Sequence, residues 1–192
     1  MDKIRFDFFE FFGAVVPGIP VFIISSFIIS GDGFSFDVIT AFLKNVSIQE
    51  IAIILLACYC IGFCMHYLAY KFFQKLVVLW GEKRTQNLPV NLGKREKELT
   101  MIRHTSPDNF KLIDKFFALR QMAYTMFFTL LLFFSFILYS AILNKIYSKE
   151  IIISLFLSAG FSFLFLLRAV DFHARVQHMI TEASALCKTL KE

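Results

Sequence analysis

The stretch MAYTMFFTLLLFFSFILYSAIL, residues 122–143, contains no charged side chain, and none occurs between Arg120 and Lys145. A helix needs about 20 apolar residues to cross a hydrocarbon core of roughly 30 Å, and this run meets that length. Three more runs approach it: Phe11–Ser30, Ile51–Tyr70 and Ile151–Leu167. A chain of 192 residues cannot bury four such helices in a soluble core. Its composition agrees, at 57% hydrophobic with a mean hydropathy of +0.65. The runs predict an all-α, polytopic membrane protein of about four transmembrane or membrane-embedded helices with a small helical cytoplasmic domain.

Charge placement predicts the orientation. Between Lys71 and Arg120 there are eleven Lys/Arg against five Asp/Glu, a net of +6. The loop Gly31–Glu50 holds Lys44 against Asp32, Asp37 and Glu50, a net of −2. Basic loops stay cytoplasmic. The central block is therefore expected inside and the Gly31–Glu50 loop outside, with both termini cytoplasmic. Lys145 and Lys149 in the last short loop run mildly against this and are outweighed by the central block. Asp2, Asp7 and Glu10 spoil the basic start of a cleavable signal peptide, so the first run is expected to be retained. The chain divides into residues 1–80 with two membrane helices, 81–106 as a basic connector, and 107–192 with two more membrane helices and an amphipathic tail.

Local signals mark the helix ends. Ser106-Pro107-Asp108 reads as an N-cap, a first-turn proline and a first-turn acid. The helix it opens is expected to run through Lys111, Lys115 and Arg120 into the third span. The second span is expected to continue past the membrane to Gly81. The fourth continues without a breaker to about Leu190. There Phe172, Val176, Met179, Ile180, Ala183, Leu186 and Leu190 recur at three- and four-residue steps. That apolar stripe must be buried on the central block or on a neighbouring subunit, and a role in oligomerisation is expected. Lys94–Glu98 reads as a short, mixed-charge helix with a solvated face.

Inside the first span lies Val16-Pro17-Gly18-Ile19-Pro20. Proline removes a backbone donor and crowds the preceding turn, which predicts a kink or break at Pro17, Gly18 and Pro20. Such a bend could line a pore or serve only packing. Cys60 and Cys64 share a helix face from which Cys58 is offset, and Cys187 lies in the tail. Reduced thiols that allow close helix packing are the expectation, with no metal site and no other cofactor.

The ionisable residues gather at the cytoplasmic ends of the spans: Asp7, Glu10, His66, Arg120, Arg168, Asp171, His173, Arg175 and His178. An ionisable group within a span is a functional candidate by default. His66 could instead be a neutral ring donating to a carbonyl or a Tyr across a helix pair. Arg120 could snorkel to the interface or point inward at Asp7, Glu10 or His66. Asp171 and Arg175 are spaced to pair at i, i+4. These residues are candidates for assembly or gating.

Arg168 and His173 form an R-x4-H spacing. Such a pair could hold phosphate in the Arg fork and move protons through the His. A five-residue helical step separates the two by roughly 140°, and Arg168 sits at the membrane edge, where RNA has poor access. No Ser–His–Asp arrangement, metal-ligand cluster or dinucleotide fingerprint is visible, so no catalytic residue is assigned. The basic excess suits anionic lipid headgroups. Without a nucleic-acid motif or Arg/aromatic interleaving, direct nucleic-acid binding is not expected.

The R-x4-H of Arg168 and His173, in a small, Phe-rich membrane protein with a basic cytoplasmic portion, resembles the Csx accessory protein of type VI-B CRISPR systems. Members resemble divergent HEPN proteins and act as oligomeric membrane pores. The resemblance implies a homo-oligomeric ring in the bacterial inner membrane. It would strengthen antiphage defence by an RNA-guided RNase effector through depolarisation, with Arg168 and His173 shaping assembly rather than cutting RNA. A non-conducting membrane scaffold that recruits a soluble partner and a membrane-tethered HEPN-like RNase are the alternative readings.

Overall fold

The computed structural model describes residues 8–30, 34–81, 92–145 and 148–189. These form six helices: α1 (Phe8–Ser30), α2 (Phe36–Asn45), α3 (Ile48–Gly81), α4 (Leu92–Thr105), α5 (Pro107–Asn144) and α6 (Lys149–Thr189). Four of them, α1, α3, α5 and α6, are long and apolar enough to cross a membrane. No strand occurs among the described residues. The fold is all-α and polytopic in character, as the apolar runs require.

α5 and α6 have 38 and 41 residues. At ~1.5 Å per residue each is roughly twice as long as a bilayer core is thick. Both therefore extend, as single helices, well past the length that a membrane crossing needs. α5 begins where the Ser-Pro-Asp signal lies: Ser106 occupies the N-cap, its carbonyl accepting the Phe110 N–H at 3.1 Å. α3 opens on a reciprocal cap. The Ser47 N–H donates to Glu50 Oε2 at 2.7 Å, and the Glu50 N–H donates to Ser47 Oγ at 3.3 Å. α5 closes on Lys145, which adopts a left-handed conformation at φ 52°.

Three buried clusters follow one another along α5. At the far end of the spans Phe27, Phe34, Ile137, Ala141 and Ile151 pack together. Near the other membrane boundary Ala69, Phe73, Ala123, Tyr124 and Ala169 form the second cluster. Beyond it, Ile102 of α4, Ile113 of α5 and Val176, Ile180, Ala183 and Cys187 of α6 make the core of a three-helix unit. α5 is the common element: α1, α3, α4 and α6 all pack on it.

α1 and α3 run antiparallel in very close contact. A Cβ on Gly18 would fall on the Cys58 carbonyl, and one on Gly62 would fall on the Ala14 carbonyl. Ala14-x3-Gly18 and Cys58-x3-Gly62 are thus facing pairs of small residues, the device that lets membrane helices approach backbone to backbone. Packing explains Cys58, which is buried, whereas Cys60 and Cys64 face outward. All four cysteines are free thiols.

Several expectations need correction. Of the kink or break expected at Pro17, Gly18 and Pro20, the break does not occur, because α1 is helical throughout. α3 packs closely on this part of α1, through Gly18. The Gly31–Glu50 segment contains the helix α2 rather than a simple loop. Val176, Ile180 and Ala183 of the α6 stripe are buried within the chain, on α4 and α5, and Leu190 lies outside the described residues. Leu186 is exposed and Cys187 takes the buried place.

A candidate functional site at one end of the spans

Two polar contacts tie the helices together at the boundary between the spans and the three-helix unit. On α3, His66 Nδ1 lies 2.6 Å from Thr125 Oγ1 of α5. Thr125 gives its one hydroxyl proton to the Gln121 carbonyl at 2.8 Å. The threonine oxygen can then only accept, so the ring proton of His66 is on Nδ1 and donates to it. Thr125 is completely buried. His66 thus bonds across a helix pair, to a threonine hydroxyl rather than to the carbonyl or Tyr expected.

Arg120 of α5 points its Nη1 at His173 Nδ1 of α6, 3.3 Å away. A guanidinium has only donors, so Nδ1 accepts and the neutral ring carries its proton on Nε2. That side faces the Gln177 amide, whose Nε2 is 3.4 Å away. Two donors cannot bond each other. Gln177 Oε1 is buried without a hydrogen-bond partner among the described residues. Turning the amide over presents that oxygen to the His173 Nε2–H and resolves the donor conflict. The Arg120 guanidinium also lies over the Phe117 ring, 4.6 Å from its centroid, a cation–π contact.

Aromatic packing supports this polar layer. Tyr124 is buried and stacks on Phe73 with ring centroids 5.2 Å apart. Phe116 and Phe172 meet at 6.1 Å between α5 and α6. Farther into the spans the Ser162 hydroxyl donates to the Phe127 carbonyl at 3.2 Å, and the Phe34 N–H donates to Ser140 Oγ at 3.0 Å. Hydroxyls thus join the helices within the apolar layer as well as at its edge.

The other candidates are distributed differently. Arg168 is exposed, while His173 is half-buried and turned toward α5, so the R-x4-H pair does not converge. Asp171 and Arg175 are both exposed and form no ion pair with each other. His178 pairs instead with Glu182 at 3.2 Å, on an exposed face where such contacts contribute little. Arg120 meets His173 rather than His66. Asp7 lies outside the described residues, as does the side chain of Glu10, although Glu10 belongs to α1. Pro17 is buried at the α1–α3 contact beside Gly18. Among the described residues no group of three His, Cys, Asp or Glu is arranged to hold a metal ion.

Thr125 and Gln177, the polar neighbours of His66 and His173, are partners that sequence reading missed. Gln177 had one visible signal, a polar side chain next to the buried stripe residue Val176. Thr125 had only a hydroxyl in an apolar run, which many membrane helices contain. Chemically the layer is a set of interhelical locks, joining α3 to α5 and α5 to α6. No family model matches the chain, and neither the curated proteins nor the solved structures provide a significant match.

Proposed function

We propose that this chain is a subunit of an oligomeric pore in the bacterial inner membrane, with both termini cytoplasmic. Its action is antiphage defence, by depolarisation that reinforces an RNA-guided RNase effector. One observation carries the membrane-gating part of this reading. α5 and α6 pass unbroken from the three-helix unit into the membrane, and Arg120 and His173 join them at the boundary. A displacement of the cytoplasmic unit is therefore transmitted to the spans. The defence setting rests on the resemblance carried by Arg168 and His173. The ring follows from size, since a bundle of four spans has no room for a wide aqueous channel.

A second reading is favoured by the built core of the three-helix unit, around Ile102, Ile113 and Ile180. In it the chain is a non-conducting scaffold. The unit presents exposed Lys97, Arg103, Lys111 and Lys115 to an acidic partner. The membrane potential of cells expressing the chain separates the two. Depolarisation that tracks expression supports the pore. A full potential with the protein inserted at the same level supports the scaffold.

A further inference from the structure

α2 is a ten-residue helix with no buried residue, held between the ends of two membrane helices. At about 100° per residue its side chains divide cleanly. Asp37, Thr40 and Lys44 share one arc. Val38 and Phe42, then Ile39, then Leu43 and Phe36 occupy the opposite one. Ile39, at the middle of the apolar arc, packs on the far-end cluster of Phe27, Phe34, Ile137, Ala141 and Ile151. The apolar arc is thus directed at the bundle, but the bundle covers only its centre. Phe36, Val38, Phe42 and Leu43 remain exposed on both flanks.

What lies beside those flanks is set by the adjoining helices. Ile28 and Ile29 at the end of α1, and Ile48 and Ile51 at the start of α3, are exposed apolar side chains of membrane spans. The apolar flanks of α2 continue that surface around the end of the bundle. The depth of α2 is also fixed. The Phe34 N–H, just before the helix, bonds Ser140 Oγ of α5, and the Phe34 ring meets Phe36 and Phe133 edge-on. After the helix, the Ser47–Glu50 cap restarts α3.

We infer that α2 is an interfacial helix. Its apolar flanks are embedded at the headgroup–acyl boundary of the leaflet opposite the three-helix unit, and the Asp37–Thr40–Lys44 arc faces water and headgroups. The occupant of the flanks is lipid. An amphipathic helix of this kind lies in the membrane plane with its apolar side roughly 5–10 Å below the surface. It acts as a fixed float, holding the α1–α3 connection at one depth and making the far ends of the spans responsive to lipid packing in that leaflet.

The chain has a single tryptophan, Trp80. With Trp80→Phe as background, Phe42→Trp, Leu43→Trp and Thr40→Trp report on the two arcs. Each is reconstituted in phosphatidylcholine–phosphatidylglycerol vesicles with iodide on both sides or with lipid brominated at known depths. Phe42→Trp and Leu43→Trp are expected to be quenched several-fold more by lipid brominated near the headgroup than by iodide, unchanged as protein is diluted in lipid. Thr40→Trp is expected to show the reverse preference. Iodide quenching of Phe42→Trp and Leu43→Trp as strong as that of Thr40→Trp would overturn the inference. Shielding of both from lipid and iodide alike would also overturn it, because a second copy would then be the occupant.

Discussion

His173 on α6 accepts a hydrogen bond from Arg120 on α5 across 3.3 Å, although 53 residues separate them in the chain. This contact stands where the apolar stretches of both helices give way to polar ones. The neighbouring Arg168, five residues before His173, is exposed and takes no part in it. The two members of the R-x4-H spacing therefore have different surroundings in a single chain.

A double-mutant cycle tests that division. Arg120→Gln and His173→Ala should each lower stability in detergent by about 1–3 kcal/mol. Together they should cost less than their sum, by about 0.5 kcal/mol or more, because one contact is lost twice. Arg168→Ala should stay within about 0.5 kcal/mol of the parent. Strict additivity of the first two, measured by denaturant or thermal unfolding, would remove the lock from the account.

The α1–α3 contact makes a sharper steric prediction. Gly18→Ala and Gly62→Ala place a methyl group on a facing backbone carbonyl that cannot turn aside. Each should destabilise by about 1–3 kcal/mol or more, as overpacking does. Gly160→Ala meets nothing within 4 Å. It should be neutral or gain about 0.5–1 kcal/mol from the loss of glycine's backbone freedom. Equal effects at Gly62 and Gly160 in thermal melts would contradict the close approach.

The three-helix unit separates buried from exposed members of the α6 stripe. Ile180→Ala should cost about 2–5 kcal/mol, the usual range for emptying a buried aliphatic site. Leu186 is 59% exposed. Its substitution by Ala should change stability by no more than about 0.5 kcal/mol. Protease protection of the unit in the intact, detergent-solubilised chain reports both. A large loss from Leu186→Ala that appears only at concentrations where the chain self-associates would return the stripe to a subunit interface.

The spans were legible because a charge-free run of about 20 residues has few other readings. The helix continuations were legible too, since nothing between Leu167 and Thr189 interrupts α6 and Ser106-Pro107 marks the start of α5. Contacts between helices were not. Level in the membrane offers Arg120 three partners, Asp7, Glu10 and His66; its contact with His173 is a further one, set by how α6 rotates against α5. The same rotation explains the stripe. The buried series Val176, Ile180, Ala183 and Cys187 holds the strict four-three-four step, which leaves Leu186 one position off the seam. α2 escaped notice because ten residues next to glycines carry too short a period to stand out from a loop. Pro17 and Pro20 are compatible with a continuous helix because helix breaking is a local rule, and in lipid a neighbouring helix can override it.

The most direct test of the pore reading is dye release from sealed vesicles containing the purified, full-length chain in defined orientation. Release that rises with the amount of oligomer, and that changes when Arg120→Gln or His173→Ala loosens the boundary lock, is the predicted result. Vesicles that stay sealed while holding a correctly inserted, folded oligomer would contradict it and leave the chain a scaffold.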